Sequence, residues 1–310
     1  MNRLPIRGNW SEKRKLIRSN IVEAKLGDSL EWAIQRWVRT TGRRVRTAEA
    51  SWLAGPFGGR RIGAEFYETY ARDASLETIT DEEDAGLLTD FEALAGEGFD
   101  PLLVRPEIRD FYERTARYDF TVRIGWSGPF KHPPRTLIYL VGRNVKQFDI
   151  PLSLQATDVT IENDLIRLVD PTTGDVPYVG WLRRSVITGE AMLAGLYTTC
   201  ELPRARGRFF KGVYPLPGGS ATTIFRPENR ANGSFALVSD RRRFGEAGYY
   251  RIHRTNADTL HVKGVPMEEV IHVFVDSTGV LSAHHTFAFA KIRFLSLHYK
   301  IMSRHRAQWT

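Results

Sequence analysis

"EVIHVFVDSTGVLSAHHTFAF", Glu269–Phe289, is the stretch on which the fold turns. Apolar and polar residues alternate on both sides of Ser277-Thr278-Gly279, which is the period of a strand, so the segment reads as one hairpin. With Gly279 in the left-handed region the loop has three residues and a bulge. Asp276 then meets Val280, and counting back places His272 opposite His284. One face carries Ile271, Val273, Val275, Leu281, Ala283, His285 and Phe287. The other carries Val270, His272, Phe274, Asp276, Ser282, His284 and Thr286. A slip of one residue would mix the two classes, so the patterning supports this register.

The adjacent histidines therefore point to opposite faces, His285 among apolar residues and His284 on a semi-polar face across from His272. That semi-polar face has three readings. It is a solvated outer face, as antiparallel sheets commonly present. It is the lining of a barrel pocket, with a few polar groups orienting a ligand. Or His272, His284 and Asp276 hold a metal; but Asp276 sits at the turn and spacing fixes no third histidine, so no metal is expected.

Outward from this hairpin the period of two persists back to about residue 118, through "YDFTVRIGW", "IRLVDPTTGDVPYVGWLRR", "GLYTTCEL", "RFFKGVYPL", "ATTIFRP", "GSFALVS", "GYYRIHRT" and "TLHVKGV", and forward through "IRFLSLHYKI". The connections are short and rich in Gly, Pro, Asn and Asp, and helical crossovers are missing, so the sheet is antiparallel. About a dozen strands favour closure, which removes exposed edges. The N-terminal part is helical in pattern. In "DSLEWAIQRWVRTTGRR", Leu30, Ile34, Trp37 and Val38 share a helical face that Gly42 ends. "AEFYETYARDA" reads as a short helix. A Thr80-x-x-Glu83 capping box opens another, with Leu87, Leu88, Phe91 and Leu94 as its apolar face, and a further helix starts at Pro106 and buries Ile108, Phe111 and Tyr112. The expected fold class is α+β: N-terminal helices packed on a large antiparallel β-sheet, closed or nearly closed into a barrel, a calycin-like architecture being one form of it. The expected organisation is a basic arm and amphipathic helix (1–46), a helical segment (47–117), the barrel-like domain (118–301) and a tail (302–310).

Composition narrows function. The single cysteine, Cys200, rules out an internal disulfide and a thiolate metal cluster within one chain, and it reads as a small buried residue. No secretory h-region and no apolar run of membrane-spanning length is seen, and a cytoplasmic location is expected. The net charge of +8 is carried by residues 1–46, with 12 Lys/Arg against 4 Asp/Glu, while residues 65–100 hold 12 acidic residues and one Arg. Docking of the basic arm on the acidic segment, in the same chain or in a second copy as a homo-oligomer, is one expectation. Contact with nucleic acid or an anionic membrane is the other.

Neither a P-loop nor a dinucleotide-binding glycine pattern is present in "GPFGGRRIG", which reads as a turn before a helix, and no cofactor is expected. Glu268 and Glu269 fall on opposite faces and read as charges that open a strand. Arg241–Arg243 form a solvated run, or an anion clamp at a barrel mouth. Tyr249, Arg251 and His253 share one face of their strand. The resulting expectation is a barrel that holds a small apolar or amphipathic molecule. His272, His284, Tyr249 and Arg251 would move protons in a cofactor-free cyclisation or isomerisation, and Phe274, Thr286, His253 and Arg242 would contact the ligand. The rival expectation is a non-catalytic scaffold whose basic arm grips an acidic protein, nucleic acid or membrane surface.

Overall fold

The computed structural model describes residues 29, 31–58, 65–127, 159–185 and 191–304. The chain runs through helix α1 (31–41), strand β1 (Arg43–Arg46), helix α2 (Phe66–Asp73), strand β2 (Glu77–Ile79) and helix α3 (Pro106–Glu113). The strands β3 (Tyr118–Trp126), β4 (Val159–Val169), β5 (Tyr178–Ser185), β6 (Ala191–Leu202), β7 (Ala205–Leu216) and β8 (Gly219–Asn229) follow. Then come β9 (Phe235–Ser239), β10 (Gly248–Asn256), β11 (Thr259–Gly264), β12 (Met267–Val275), β13 (Leu281–Phe289) and β14 (Ile292–Ser303).

Ten of these strands close an antiparallel barrel in the order β3-β4-β5-β6-β7-β8-β9-β12-β13-β14 and back to β3. The long strand β8 divides its free edge. Its first half, Gly219–Ile224, pairs with β10, and its second half, Arg226–Asn229, pairs with β9. Strands β10, β11 and β1 thus branch off as an extension of the wall. The β12–β13 hairpin has the register read from its pattern: His272 is opposite His284, Asp276 N–H donates to the Val280 carbonyl, and Gly279 has φ +81°.

Alternation sorts each strand into an inner and an outer set. Val122 and Ile124 of β3, Val273 of β12, Ala283 of β13 and Leu297 and Ile301 of β14 are buried and point inward. Arg123, His284, His298 and Lys300 are exposed on the outside. Apolar inside and polar outside is the inverse of the lipid-facing barrel pattern. One end of the barrel is plugged by an aromatic cluster in which Phe91, Phe99 and Tyr112 pack on Phe235, and Tyr112 on Phe210, at centroid separations of 5.1–6.1 Å.

The plug departs from the expected helix over residues 80–96. Leu87, Leu88, Phe91 and Leu94 are buried as expected, but they lie in irregular chain with one 3-10 turn, Glu92–Leu94. The backbone is satisfied from α3 instead: Leu88 N–H donates to the Tyr112 carbonyl (3.0 Å) and Phe91 N–H to the Glu113 carboxylate (2.8 Å). At Gly86 a Cβ would lie 2.2 Å from the Glu113 carbonyl, so only glycine permits this close approach. Tertiary hydrogen bonds have overridden a weak local helical preference. Helix α1 lies at the opposite end, ends with Gly42 N–H donating to the Val38 carbonyl, and is tied down by Gln35 Nε2 donating to the Pro217 carbonyl at 2.7 Å.

Candidate functional site

Inside the barrel is a cavity of about 520 Å³. Its wall is mostly apolar: Phe120, Val122, Ile124, Phe210, Phe225, Ile271, Val273, Phe287, Leu295 and Leu297 line it, Phe111 and Tyr112 of α3 close one end, and Ile34 and Trp37 of α1 stand at the other. Among these residues are a few polar side chains. Glu31 of α1 accepts from Arg251 of β10 at 2.8 Å, with only 7% and 11% of the two side chains exposed. Glu269 of β12 and His285 of β13 meet at 2.7 Å, with 5% and 12% exposed. Tyr197 and Tyr214 bring their hydroxyls to 3.4 Å. The Thr223 hydroxyl is buried without a hydrogen-bond partner among the described residues.

Glycines make the room for the phenols. A Cβ at Gly195 would lie 2.9 Å from the Tyr197 ring, so the ring rests directly on the β6 backbone. Burial pushes Tyr249 up to about 12 and Tyr214 well above its ordinary value. These phenols are therefore hydrogen-bond donors, not bases, at neutral pH. Arg183 of β5 lies over the Trp181 ring with its guanidinium carbon 3.7 Å from the ring centre, and the indole N–H is fixed by the Asn163 side-chain oxygen at 3.0 Å. Arg183 keeps some accessible surface, but it lines the cavity, and the phenols of Tyr197, Tyr299, Tyr214 and Tyr67 act on its charge.

The structure divides the residues singled out from sequence. Tyr249 and Arg251 line the cavity. His272, His284, Phe274 and Thr286 do not, because the apolar face of the β12–β13 hairpin is the inner one and they share the outer face. There they form an outer row: His272 accepts from or donates to Ser234 at 3.0 Å, Phe274 packs on both histidines, and His284 packs on His298 at 4.5 Å. His253 lies outside the cavity, with Nδ1 buried and unpartnered among the described residues. Arg242 belongs to a separate cleft of about 490 Å³ that it shares with Arg204, Arg206, Arg208 and Arg226. Among the described residues, no group of three or more His, Cys, Asp or Glu side chains is placed to hold a metal ion.

Glu269 corrects the reading of a charge that merely opens a strand, since it is 4% exposed and bonded to His285. It, His285 and Arg183 are cavity groups missed from sequence. The available signal was parity: Glu269 and His285 share the face of Ile271 and Ala283, and Arg183 shares that of Trp181. Cys200 sits beside Lys211, and burial pushes its thiol up to about 11, which removes it as a nucleophile at neutral pH. Of the basic arm, residues 1–28 lie outside the described residues, as do Leu30 and Gly59–Gly63 of the glycine-rich loop. Within the described part of the acidic segment, Glu82 pairs with Arg167 and Asp84 with Arg117.

No protein-family model and no solved structure matches the chain. It is similar to a Bacillus subtilis (strain 168) protein named uncharacterized membrane protein YndJ, with 27% identity over 249 residues. The match covers 79% of this chain and 42% of that protein, so the chain spans less than half of its relative's length. The expected cytoplasmic location does not stand beside a relative named as a membrane protein. Among the described residues no helix is long and apolar enough to cross a membrane.

Proposed function

We propose that the barrel takes up a small apolar or amphipathic molecule. The observation that carries this reading is the cavity itself, about 520 Å³, walled by apolar and aromatic side chains with a few buried polar groups. Ligand pockets of roughly 300–1,000 Å³ have this composition. The likeness to a membrane protein supports a place of action beside a bilayer, where such molecules concentrate. Native mass spectrometry of the purified protein, repeated after denaturing extraction, tests the reading. The expected result is a small organic molecule released on denaturation, and Ala283→Phe, which projects a ring into the cavity, abolishes its uptake. A protein that carries nothing and binds no apolar probe overturns the reading.

A second reading rests on the Glu269–His285 hydrogen bond inside the same wall. A carboxylate that orients an imidazole is a general acid–base pair, and Tyr249 is a nearby neutral donor. This set suits cofactor-free isomerisation or cyclisation of the bound molecule. Turnover of an extracted ligand that is lost in His285→Gln, with binding retained, supports it; unchanged turnover in that variant removes it.

A further inference from the structure

Resting on the reading of the cavity as a ligand site, we propose that Arg183 holds the carboxylate of an anionic amphiphile whose hydrocarbon part fills the apolar space. The other charged side chains of the cavity are hydrogen-bonded, Arg251 to Glu31 and Glu269 to His285. Arg183 has no hydrogen bond or ion pair among the described residues, although it is enclosed by the barrel. An interior guanidinium without an anion is costly, and the cost is removed when an anion enters with the ligand. Contact with the face of Trp181 uses none of the N–H donors that lie in the guanidinium plane, so the fork stays available for a carboxylate.

The surroundings set the charge of the ligand. Burial keeps the Tyr214 and Tyr299 phenols that act on Arg183 protonated, so they add donors and no second positive charge. One guanidinium with neutral donors compensates one negative charge, which fits a carboxylate better than a phosphate dianion. Aromatic and aliphatic side chains such as Phe120, Ile124 and Leu297 then receive the hydrocarbon.

The test compares dodecanoate, dodecanol and methyl dodecanoate as ligands in calorimetric titrations of the full chain and of Arg183→Gln and Arg183→Lys. The wild type is expected to bind the acid at least about tenfold more tightly than the alcohol or ester, the scale of a hydrogen bond to a charged group. Arg183→Gln loses that preference while keeping affinity for the alcohol, and Arg183→Lys retains part of it. Equal binding of acid and alcohol by the wild type, or a preference that survives in Arg183→Gln, overturns the assignment and leaves the apolar cavity standing. Binding of none of the three overturns both. Should Arg183→Gln fail to fold, Arg183→Lys decides: a reduced preference for dodecanoate over dodecanol supports the carboxylate at Arg183, and an unchanged preference removes it.

Discussion

Lys211 points outward from β7 under the loop that follows the 3-10 turn Thr47–Leu53, and its ammonium donates to the Ala54 carbonyl. Burial lowers its pKa from 10.5 to about 8. At about 1.4 kcal/mol per pH unit, the folded state carries a penalty of roughly 3 kcal/mol for holding this charge. The unfolded chain binds the proton more tightly, so stability rises with pH between about 8 and 10, and the full penalty applies below about 8. Lys211→Met is therefore expected to raise the melting temperature at pH 7 and to flatten that rise, since the Tyr178 hydroxyl still donates to Ala54 at 3.2 Å. The outer histidines act in a lower window. His272 and His284 are held below the ordinary 6.5, first by partial burial and then by the neighbouring histidine. Because the folded state takes up these protons less readily than the unfolded chain, stability falls as pH drops below about 6.5. Replacing His284 by Gln is expected to shallow the fall in melting temperature between about pH 6.5 and 5.

At the scale of elements, α1 is the cap of the cavity, and a buried ion pair helps to hold it beside the Gln35–Pro217 hydrogen bond. Glu31→Ala leaves Arg251 buried and uncompensated, which is expected to cost about 3 kcal/mol. Urea denaturation measures this, and the double variant Glu31→Ala with Arg251→Met is expected to recover part of the loss, because removing both charges removes the desolvation problem. The amphipathic pattern of α1 and the Pro106 start of α3 were legible because each is a local signal. The segment 80–96 was not, because its backbone bonds to α3 and not to itself, and no periodicity reports a hydrogen bond to a residue some twenty positions away. The β12–β13 register was legible from its own alternation, which a tight turn fixed.

For the whole molecule, closure decides what each face means. The ten-strand barrel has its apolar faces inward, so they enclose a cavity instead of a solid core. A ligand that binds only the folded barrel raises its stability by mass action, about 2.7 kcal/mol at a hundredfold excess over Kd. Thermal denaturation with dodecanol is expected to show this rise in the wild type and not in Ala283→Phe, whose new ring occupies the space. Tyr249 and Arg251 reach the cavity from β10, which is outside the closed ring of strands, because β8 gives half of its edge to β10. No sequence pattern states that division of an edge.

Alternation and turn chemistry by themselves determined that the C-terminal two-thirds is antiparallel sheet, which residues share a face, and that His284 and His285 part company. Those are consequences of a fixed two-residue pleat and of short connections. Only the tertiary structure decided that the apolar face is the inner one, that Glu269 and His285 form a buried pair across two strands, and that Arg183 has no anionic partner among the described residues. The reason is that inside and outside are properties of closure, and closure is set by strands far apart in sequence.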